Sequence, residues 1–147
     1  MKKYLDVLFL TGLCLVAIAW FYPFQNTPQK EFVSITSKPL SNAFLSQNIP
    51  LIDIRTKKEW HETGIIPKSH LITFYNEDNS YDENTFLKEL ETIVTKKDTF
   101  VILCRSGNRS MKVTKFLTSQ GYSHVINLSG GIKEAIKNGI TTIPYTQ

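Results

Sequence analysis

Residues 100–113, FVILCRSGNRSMKV, join three kinds of sequence within one short stretch. Apolar residues run up to Cys104 and predict a buried strand that ends there. A polar loop with two arginines and one glycine follows, and an amphipathic pattern then predicts a helix from Ser110. A strand that leads through a short loop into a helix is typical of an α/β fold, so this stretch indicates the fold class.

Strand-like and helix-like patterns alternate along the rest of the chain from residue 31 onward. The apolar strand runs indicate burial on both faces of a sheet, which predicts an α/β fold with a largely parallel central sheet. In such sheets ligands bind outside the carboxyl ends of the strands, and Cys104 stands at one of these ends. The predicted strands are 32–35, 50–54, 71–74, 99–103 and 125–126. One predicted helix follows Pro39, a second begins within residues 55–59, and three more cover 82–94, 110–119 and 130–137.

The composition narrows the classes of partner. The chain has 147 residues, of which 41% are hydrophobic and 20% charged, as expected for one globular domain. The net charge of +4 is scattered without an arginine-rich tract, which argues against a nucleic-acid partner and favours small anionic substrates. Two cysteines, Cys14 and Cys104, are too few for a disulfide framework or for a structural zinc site.

The N-terminal residues 1–24 predict a signal peptide or a membrane anchor, because a short basic start precedes a long apolar run. An Ala-Ile-Ala sequence inside the run favours cleavage, whereas the aromatic residues at its end favour retention through residues 4–24 as an anchor in the inner membrane. Both alternatives predict a periplasmic or other extracytoplasmic location, because the lysines stay inside. Residues 25–30 are predicted to be a linker, and residues 31–147 to be the globular domain.

The loop after Cys104 has the features of an anion cradle. A tight loop that enters a helix N-terminus can direct several backbone N–H groups at one point, and Gly107 lets the backbone curl. A sulfur at the centre of that concavity is favoured in its ionised form, which is the nucleophilic form of cysteine. Arg105 and Arg109 add positive charge at the rim and would attract an anionic substrate.

Four segments resemble motifs of the rhodanese-like sulfurtransferases, in the order that this family has them. The loop CRSGNRS resembles the family's active-site loop, in which a cysteine heads a sequence often written C-R-S-G-x-R-S. The resemblance covers nearly all of residues 31–140 and implies a rhodanese-like three-layer fold, with a mostly parallel central sheet flanked by helices. The other segments are LIDIRTKKEW at 51–60, TGIIPKSHLI at 63–72 and VINLSGGIKEAIKNG at 125–139.

Five residues of these motifs are expected to support the site structurally. The resemblance implies an ion pair between Arg55 and Glu59 that braces the loop after the second strand, and close turns at the glycines. The chain departs from the family's usual residues at Ile65, Lys68, Ser69 and Ala135, which bears on substrate entry more than on the fold. The five supporting residues are Asp53, Arg55, Glu59, Gly130 and Gly131.

The resemblance implies a two-step sulfur transfer without a metal or an organic cofactor. The Cys104 thiolate attacks the outer sulfur of an anionic donor such as thiosulfate and becomes a persulfide, and a thiol or cyanide then removes that sulfur. The arginines would hold the donor. The predicted substrate-binding residues are Arg105, Ser106, Gly107, Asn108, Arg109 and Ser110.

Three alternatives to a free-standing sulfurtransferase stay open. A cysteine-dependent phosphatase or arsenate reductase is disfavoured, because only four residues separate Cys104 from Arg109 and the relatives with those activities have a longer loop. A non-enzymatic rhodanese-like binding module is disfavoured because Cys104 is present. A sulfur carrier that serves one dedicated protein has the same sequence features as the enzyme.

Overall fold

The computed structural model describes residues 36–146 of the chain. Five strands form one sheet in the order β1-β5-β4-β2-β3, and every neighbouring pair of strands is parallel. The elements in chain order are β1 Thr36–Lys38, α1 Asn42–Leu45, β2 Leu51–Asp53, α2 Lys57–Thr63, β3 His70–Leu71, α3 Glu83–Glu91, β4 Thr99–Leu103, α4 Asn108–Ser119, β5 His124–Leu128 and α5 Gly131–Lys137.

The predicted α/β fold with a mostly parallel central sheet flanked by helices is confirmed. The strand predicted at 32–35, the signal or anchor in residues 1–24 and the linker at 25–30 lie outside the described residues and stay predictions. Within residues 36–146, no helix has the length and apolar character needed to cross a membrane.

Strand β4 contributes to a hydrophobic core on each side of the sheet, because successive side chains of a strand point to opposite faces. Phe100 and Ile102 pack in the core on one face, and Val101 and Leu103 pack in the core on the other. Cys104 continues the alternation on the Phe100 side. Helices α3 and α4 cover that face, and α5 covers the opposite one, which makes three layers.

Two of the differences between the predicted and the observed element boundaries have a visible physical cause. The third strand was expected at 71–74, but its ladder is limited to His70–Leu71. The N–H groups of Ile72 and Phe74 still bond to carbonyls at and just beyond the end of β2, at 3.1 and 3.3 Å, so the chain stays beside β2 without forming a regular ladder. Helix α4 begins at Asn108, two residues before the predicted start, because Gly107 adopts φ = +91° and turns the chain directly into the helix.

A buried ion pair ties the end of β2 to α2. Asp53 and Arg55 are both fully buried, with Arg55 Nη2 2.7 Å from Asp53 Oδ2 and Arg55 Nε 2.9 Å from Oδ1. Arg55 also donates to Thr63 Oγ1 at 2.6 Å and to the carbonyl of Gly64 at 2.8 Å. One guanidinium therefore joins the strand end to the far end of the following helix.

The implied ion pair between Arg55 and Glu59 is wrong. Arg55 Nη1 donates to the main-chain carbonyl of Glu59 at 3.2 Å, and the charge of Arg55 is paired with the Asp53 carboxylate. The physical reason is the bend after β2, where the Arg55 N–H also donates to Asp53 Oδ1 at 3.1 Å and holds the two residues together. The carboxylate of Glu59 is thereby left to a different partner.

The Asp53→Asn variant should lose about 3–5 kcal/mol of unfolding free energy, because Arg55 would stay buried with an uncompensated charge. Urea unfolding of the two proteins measures the difference. The matched control is Asp98→Asn, an exposed aspartate that accepts a hydrogen bond from the Thr95 N–H, for which we expect a loss of no more than about 1 kcal/mol. Equal losses in the two variants would contradict the bracing role of the buried pair.

Candidate active site

Cys104 directly follows β4 and is fully buried. Its Sγ accepts a hydrogen bond from the Gly107 N–H at 3.1 Å and lies 3.2 Å from the Ser110 Oγ. Several backbone amides were expected around this sulfur. Among the described residues, one amide and one hydroxyl have the geometry of hydrogen bonds to it.

The N-terminus of α5 holds the Cys104 loop from the other side. The N–H of Ile132 donates to the Cys104 carbonyl at 2.9 Å, and the N–H of Lys133 donates to the Arg105 carbonyl at 3.2 Å. A Cβ on Gly131 would overlap the Cys104 carbonyl oxygen and the loop backbone after it, and Gly131 has φ = +59°. Glycine is therefore required here for both close approach and backbone conformation.

The Gly131→Ala variant should be clearly less stable than Gly139→Ala and should react more slowly at Cys104. Both glycines have positive φ, with Gly139 at +82°, so both variants carry the conformational cost, which is about 1 kcal/mol. Only Gly131 faces the Cys104 loop, since a Cβ on Gly139 meets nothing within 4 Å. Urea unfolding and the rate of Cys104 alkylation measure the two effects. Identical behaviour of the variants would contradict the proposed packing of the turn on the loop.

Ser110 connects the sulfur to a buried polar side chain of β5. Its Oγ lies 2.6 Å from Asn127 Oδ1, 3.1 Å from the Gly107 carbonyl and 3.2 Å from Cys104 Sγ. A serine hydroxyl has one hydrogen for these three acceptors, and the shortest distance is to Asn127. Asn127 in turn donates from Nδ2 to Ser37 Oγ at 3.0 Å.

Asn127 is a site residue that the sequence argument missed. It is 2% exposed and lies within β5, between apolar neighbours. A polar residue inside an apolar strand run was the available signal, since a buried amide needs hydrogen-bond partners. The partners themselves come from β1 and α4 and are not visible from the local sequence.

Arg109 is paired with Glu59. The Arg109 Nη2 lies 2.5 Å from Glu59 Oε1, and the other carboxylate oxygen of Glu59 accepts from the Thr56 N–H at 3.1 Å. Thr56 Oγ1 accepts from the Glu59 N–H in return, which completes a capping box at the start of α2. Glu59 thus joins the α2 N-terminus to α4.

The pKa values of Glu59 and Arg109 shift in the directions that favour the ionised form of each group. Burial raises the pKa of Glu59. Hydrogen bonds from Arg109 and from the Thr56 N–H, together with the charges of Arg109 and Arg55, lower it by more, so the pKa lies below its ordinary value. Burial lowers the pKa of Arg109, but the hydrogen bond and charge of Glu59 outweigh this. The coulombic interaction with Cys104 also raises the pKa of Arg109.

The Glu59→Gln variant should be less stable than the parent at neutral pH, and the difference should narrow in acid. The folded pKa of Glu59 lies below its ordinary value of 4.5, so the stability from its ionised form is present above that pH and is lost as the pH falls through the folded value. Urea midpoints at about pH 7 and pH 3 measure the change. Glu91→Gln, at an exposed glutamate of α3, is the control. Urea midpoints of Glu59→Gln that change with pH in the same way as those of Glu91→Gln would contradict the pairing.

The remaining loop side chains are exposed. Arg105 Nη1 lies 4.0 Å from Glu62 Oε2, and both side chains are close to half exposed, so this pair adds little stability. Ser106 and Asn108 are exposed at the surface of the loop. The structure therefore places three of the predicted binding residues, Arg105, Ser106 and Asn108, toward solvent.

A pocket of 330 Å³ opens beside the loop. Its wall includes Asn76, Glu77 and Asn79, which belong to the turn before α3 and were not singled out from the sequence. Turn-forming residue types at 76–80 were the only local signal. Cys104 is fully buried and does not line the pocket. The lining residues are Thr56, Lys58, Glu59, Glu62, Asn76, Glu77, Asn79, Arg105 and Arg109.

A larger pocket, of 470 Å³, opens at the amino ends of β2 and β3. Pro50 and Leu51 line it at the start of β2, and His70 lines it at the start of β3. No residue of the Cys104 loop belongs to its lining. We place the candidate site at the smaller pocket, because the nucleophilic side chain lies at the carboxyl ends of the strands.

Comparison with known proteins agrees with the motifs and the fold. A family model described as a rhodanese-like domain matches residues 36–138. The chain belongs to the rhodanese-like domain family. The membership implied by the four sequence motifs is thus confirmed.

Relatives of this rhodanese-like protein are found in several different organisms. The rhodanese domain-containing protein CG4456 of Drosophila melanogaster is 35% identical over 100 residues, which cover 63% of this chain and 87% of that protein. A protein of Allochromatium vinosum named Sulfurtransferase is 32% identical over 115 residues, covering 74% and 92%. A rhodanese-like domain protein from Staphylococcus aureus has the same fold, with a TM-score of 0.53 at 23% identity, over 74% of this chain and 99% of that one.

Proposed function

We propose that this rhodanese-like protein is a sulfurtransferase that carries sulfur on Cys104 as a persulfide. Membership of the family supports sulfur transfer at the general level. The observation that carries the proposal is the environment of Cys104 Sγ, at the end of β4, with the Gly107 N–H at 3.1 Å and the Ser110 Oγ at 3.2 Å. The Gly107 N–H can donate a hydrogen bond to an ionised sulfur, and the Ser110 hydroxyl can do so when its single hydrogen turns from Asn127 Oδ1 to the sulfur.

The first step forms a bond between Cys104 Sγ and the outer sulfur of a donor such as thiosulfate. The sulfur–sulfur bond of the donor breaks, and its inner part leaves with the electron pair, as sulfite in the case of thiosulfate. In the second step a thiol or cyanide attacks the outer sulfur, and the Cys104 thiolate leaves. The bound sulfur divides one difficult transfer into two displacements, and neither step needs an external oxidant or reductant.

The charge on the persulfide would be stabilised where the loop enters α4. The first N–H groups of a helix have no partner within the helix, and they carry the positive end of its dipole. These groups in Asn108 and Arg109 lie next to the amide of Gly107 that already contacts the sulfur. Hydrogen-bond donors fixed in advance at the site of charge need no reorganisation during the reaction.

Intact mass spectrometry of the full chain after incubation with sulfur donors tests this function. The protein should gain one sulfur atom, and cyanide should remove it. Cys14→Ser should load as the parent does, whereas Cys104→Ser should not load. A gain that survives in Cys104→Ser would overturn the role of this cysteine.

Two further outcomes would assign a different function. Hydrolysis of an aryl phosphate by a protein that no sulfur donor modifies would indicate a phosphatase. Loading of one sulfur that cyanide and small thiols fail to release, but that a protein partner accepts, would indicate a dedicated carrier. Repeated turnover with cyanide or a small thiol supports the free-standing enzyme.

A further inference from the structure

The Ser110 hydroxyl is the centre of a hydrogen-bond network that joins Cys104 to the edge of the sheet. Its oxygen lies 3.2 Å from Cys104 Sγ and 2.6 Å from Asn127 Oδ1. Asn127 Nδ2 donates to Ser37 Oγ at 3.0 Å, and Ser37 is the residue of the edge strand β1 that pairs with Asn127 in the ladder. Cys104, Ser110 and Asn127 are buried, whereas Ser37 is exposed. The sulfur is thus linked through two buried side chains to the surface.

The two distances at Asn127 agree with the direction of these hydrogen bonds. A separation of 2.6 Å is typical of a hydroxyl that donates to an oxygen, and it is short for an amide N–H donor. A separation of 3.0 Å is typical of an amide N–H that donates to an oxygen. The amide therefore presents its carbonyl to Ser110 and its N–H to Ser37. The single hydrogen of the Ser110 hydroxyl lies on the Asn127 side.

This direction suits a neutral sulfur. A thiol at Cys104 can donate its hydrogen to Ser110 Oγ, which is free to accept because its own hydrogen is donated to Asn127. The Gly107 N–H donates to the same sulfur at 3.1 Å. Each hydrogen of the network then has an acceptor, as buried polar groups require.

An ionised sulfur makes a different demand on the Ser110 hydroxyl. A thiolate only accepts hydrogen bonds, so it is stabilised when the hydroxyl hydrogen turns toward it. That turn takes the hydrogen away from Asn127 Oδ1, and a buried acceptor that loses its donor raises the free energy of the state. The Asn127 carbonyl and the charged sulfur therefore compete for one hydrogen.

We propose that Asn127 is a positioning residue that lowers the reactivity of resting Cys104 by holding the hydrogen of the Ser110 hydroxyl away from the sulfur. The inference rests on the proposed function, in which the sulfur is a thiolate both when it attacks the donor and when it leaves the persulfide. Asn127 thereby sets how easily negative charge forms on the sulfur. It acts through Ser110, because its carbonyl bonds to that hydroxyl and its N–H bonds to Ser37.

The pH profile of Cys104 alkylation by iodoacetamide, in the full chain, tests this inference. Iodoacetamide reacts with the thiolate, so the profile reports how readily the sulfur ionises. All variants carry Cys14→Ser, which leaves Cys104 as the one cysteine in the sequence. Asn127→Leu removes the competing carbonyl, and its profile should move to lower pH. At a fixed pH below the parent's midpoint, its alkylation should be about threefold to tenfold faster than that of the parent.

The Gly107 carbonyl does not replace the lost acceptor in this variant. It lies 3.1 Å from Ser110 Oγ, but it already accepts a hydrogen bond from the Met111 N–H at 3.1 Å. An ionised sulfur is also the stronger acceptor, because a hydrogen bond to a charged group is stronger than one to a neutral carbonyl. The freed hydroxyl hydrogen therefore turns to the sulfur.

Two further variants separate this role from a general effect of core substitution. Ser110→Ala should move the profile to higher pH, because the sulfur loses a hydrogen-bond donor, and Asn127→Leu should cause no additional shift in that background. Thr114→Val is the matched control. Thr114 is fully buried on α4, and its hydroxyl has no hydrogen-bond partner within residues 36–146, so its loss should leave the profile unchanged.

Urea midpoints check that the variants are folded. Asn127→Leu should fold, because Ser37 is exposed to water and the Ser110 hydroxyl keeps acceptors nearby. Asn127→Val also lacks a carbonyl and has a side chain favoured in strands, so it gives the same test if the leucine proves too large.

Two results would overturn the inference while the proposed function stands. One is a profile of Asn127→Leu that coincides with that of the parent or moves to higher pH. The other is a shift to lower pH of the same size in the presence and absence of Ser110. Failure of every sulfur donor to load Cys104 in the parent would instead overturn the proposed function, and with it the role of Asn127 in sulfur transfer.

Discussion

The close contact between the Gly131 turn and the Cys104 loop is the constraint on which the site depends. The N–H groups of Ile132 and Lys133 bond to the carbonyls of Cys104 and Arg105, and a side chain at Gly131 would separate the two segments. The loop is therefore clamped through its carbonyl side by α5. With those carbonyls held, the Gly107 amide is directed to the sulfur at 3.1 Å.

Two ion pairs extend this constraint into the rest of the domain. The buried Asp53–Arg55 pair fixes α2 against the end of β2, and the Glu59–Arg109 pair fixes α4 against α2. Both lie at the carboxyl edge of the sheet, where parallel strands leave room for a site. The two ion pairs therefore brace the loop. Arg109, which was expected to bind a donor, is paired with Glu59.

The fold was predictable because its signals are local. The strand predicted at 99–103 matches β4 at both of its ends, and the double glycine opens α5 as expected. The third strand was placed too late, because apolar residues at 72–74 stay buried beside β2 without a regular ladder. The early start of α4 depends on the positive φ of Gly107, which is a property of the folded loop.

By itself, the sequence determined the order of strands and helices, the position of the cysteine at a strand end, and membership of the family, because each is encoded in consecutive residues. Only the tertiary structure decided which charges meet. Glu59 and Arg109 are 50 residues apart, and Ser110 and Asn127 are 17 apart, so their contacts depend on how α2, α4 and β5 pack at one edge of the sheet. The turn at 76–79 enters the pocket wall for the same reason. The local sequence pattern does not predict the distances between these side chains, because the packing of the two hydrophobic cores sets them.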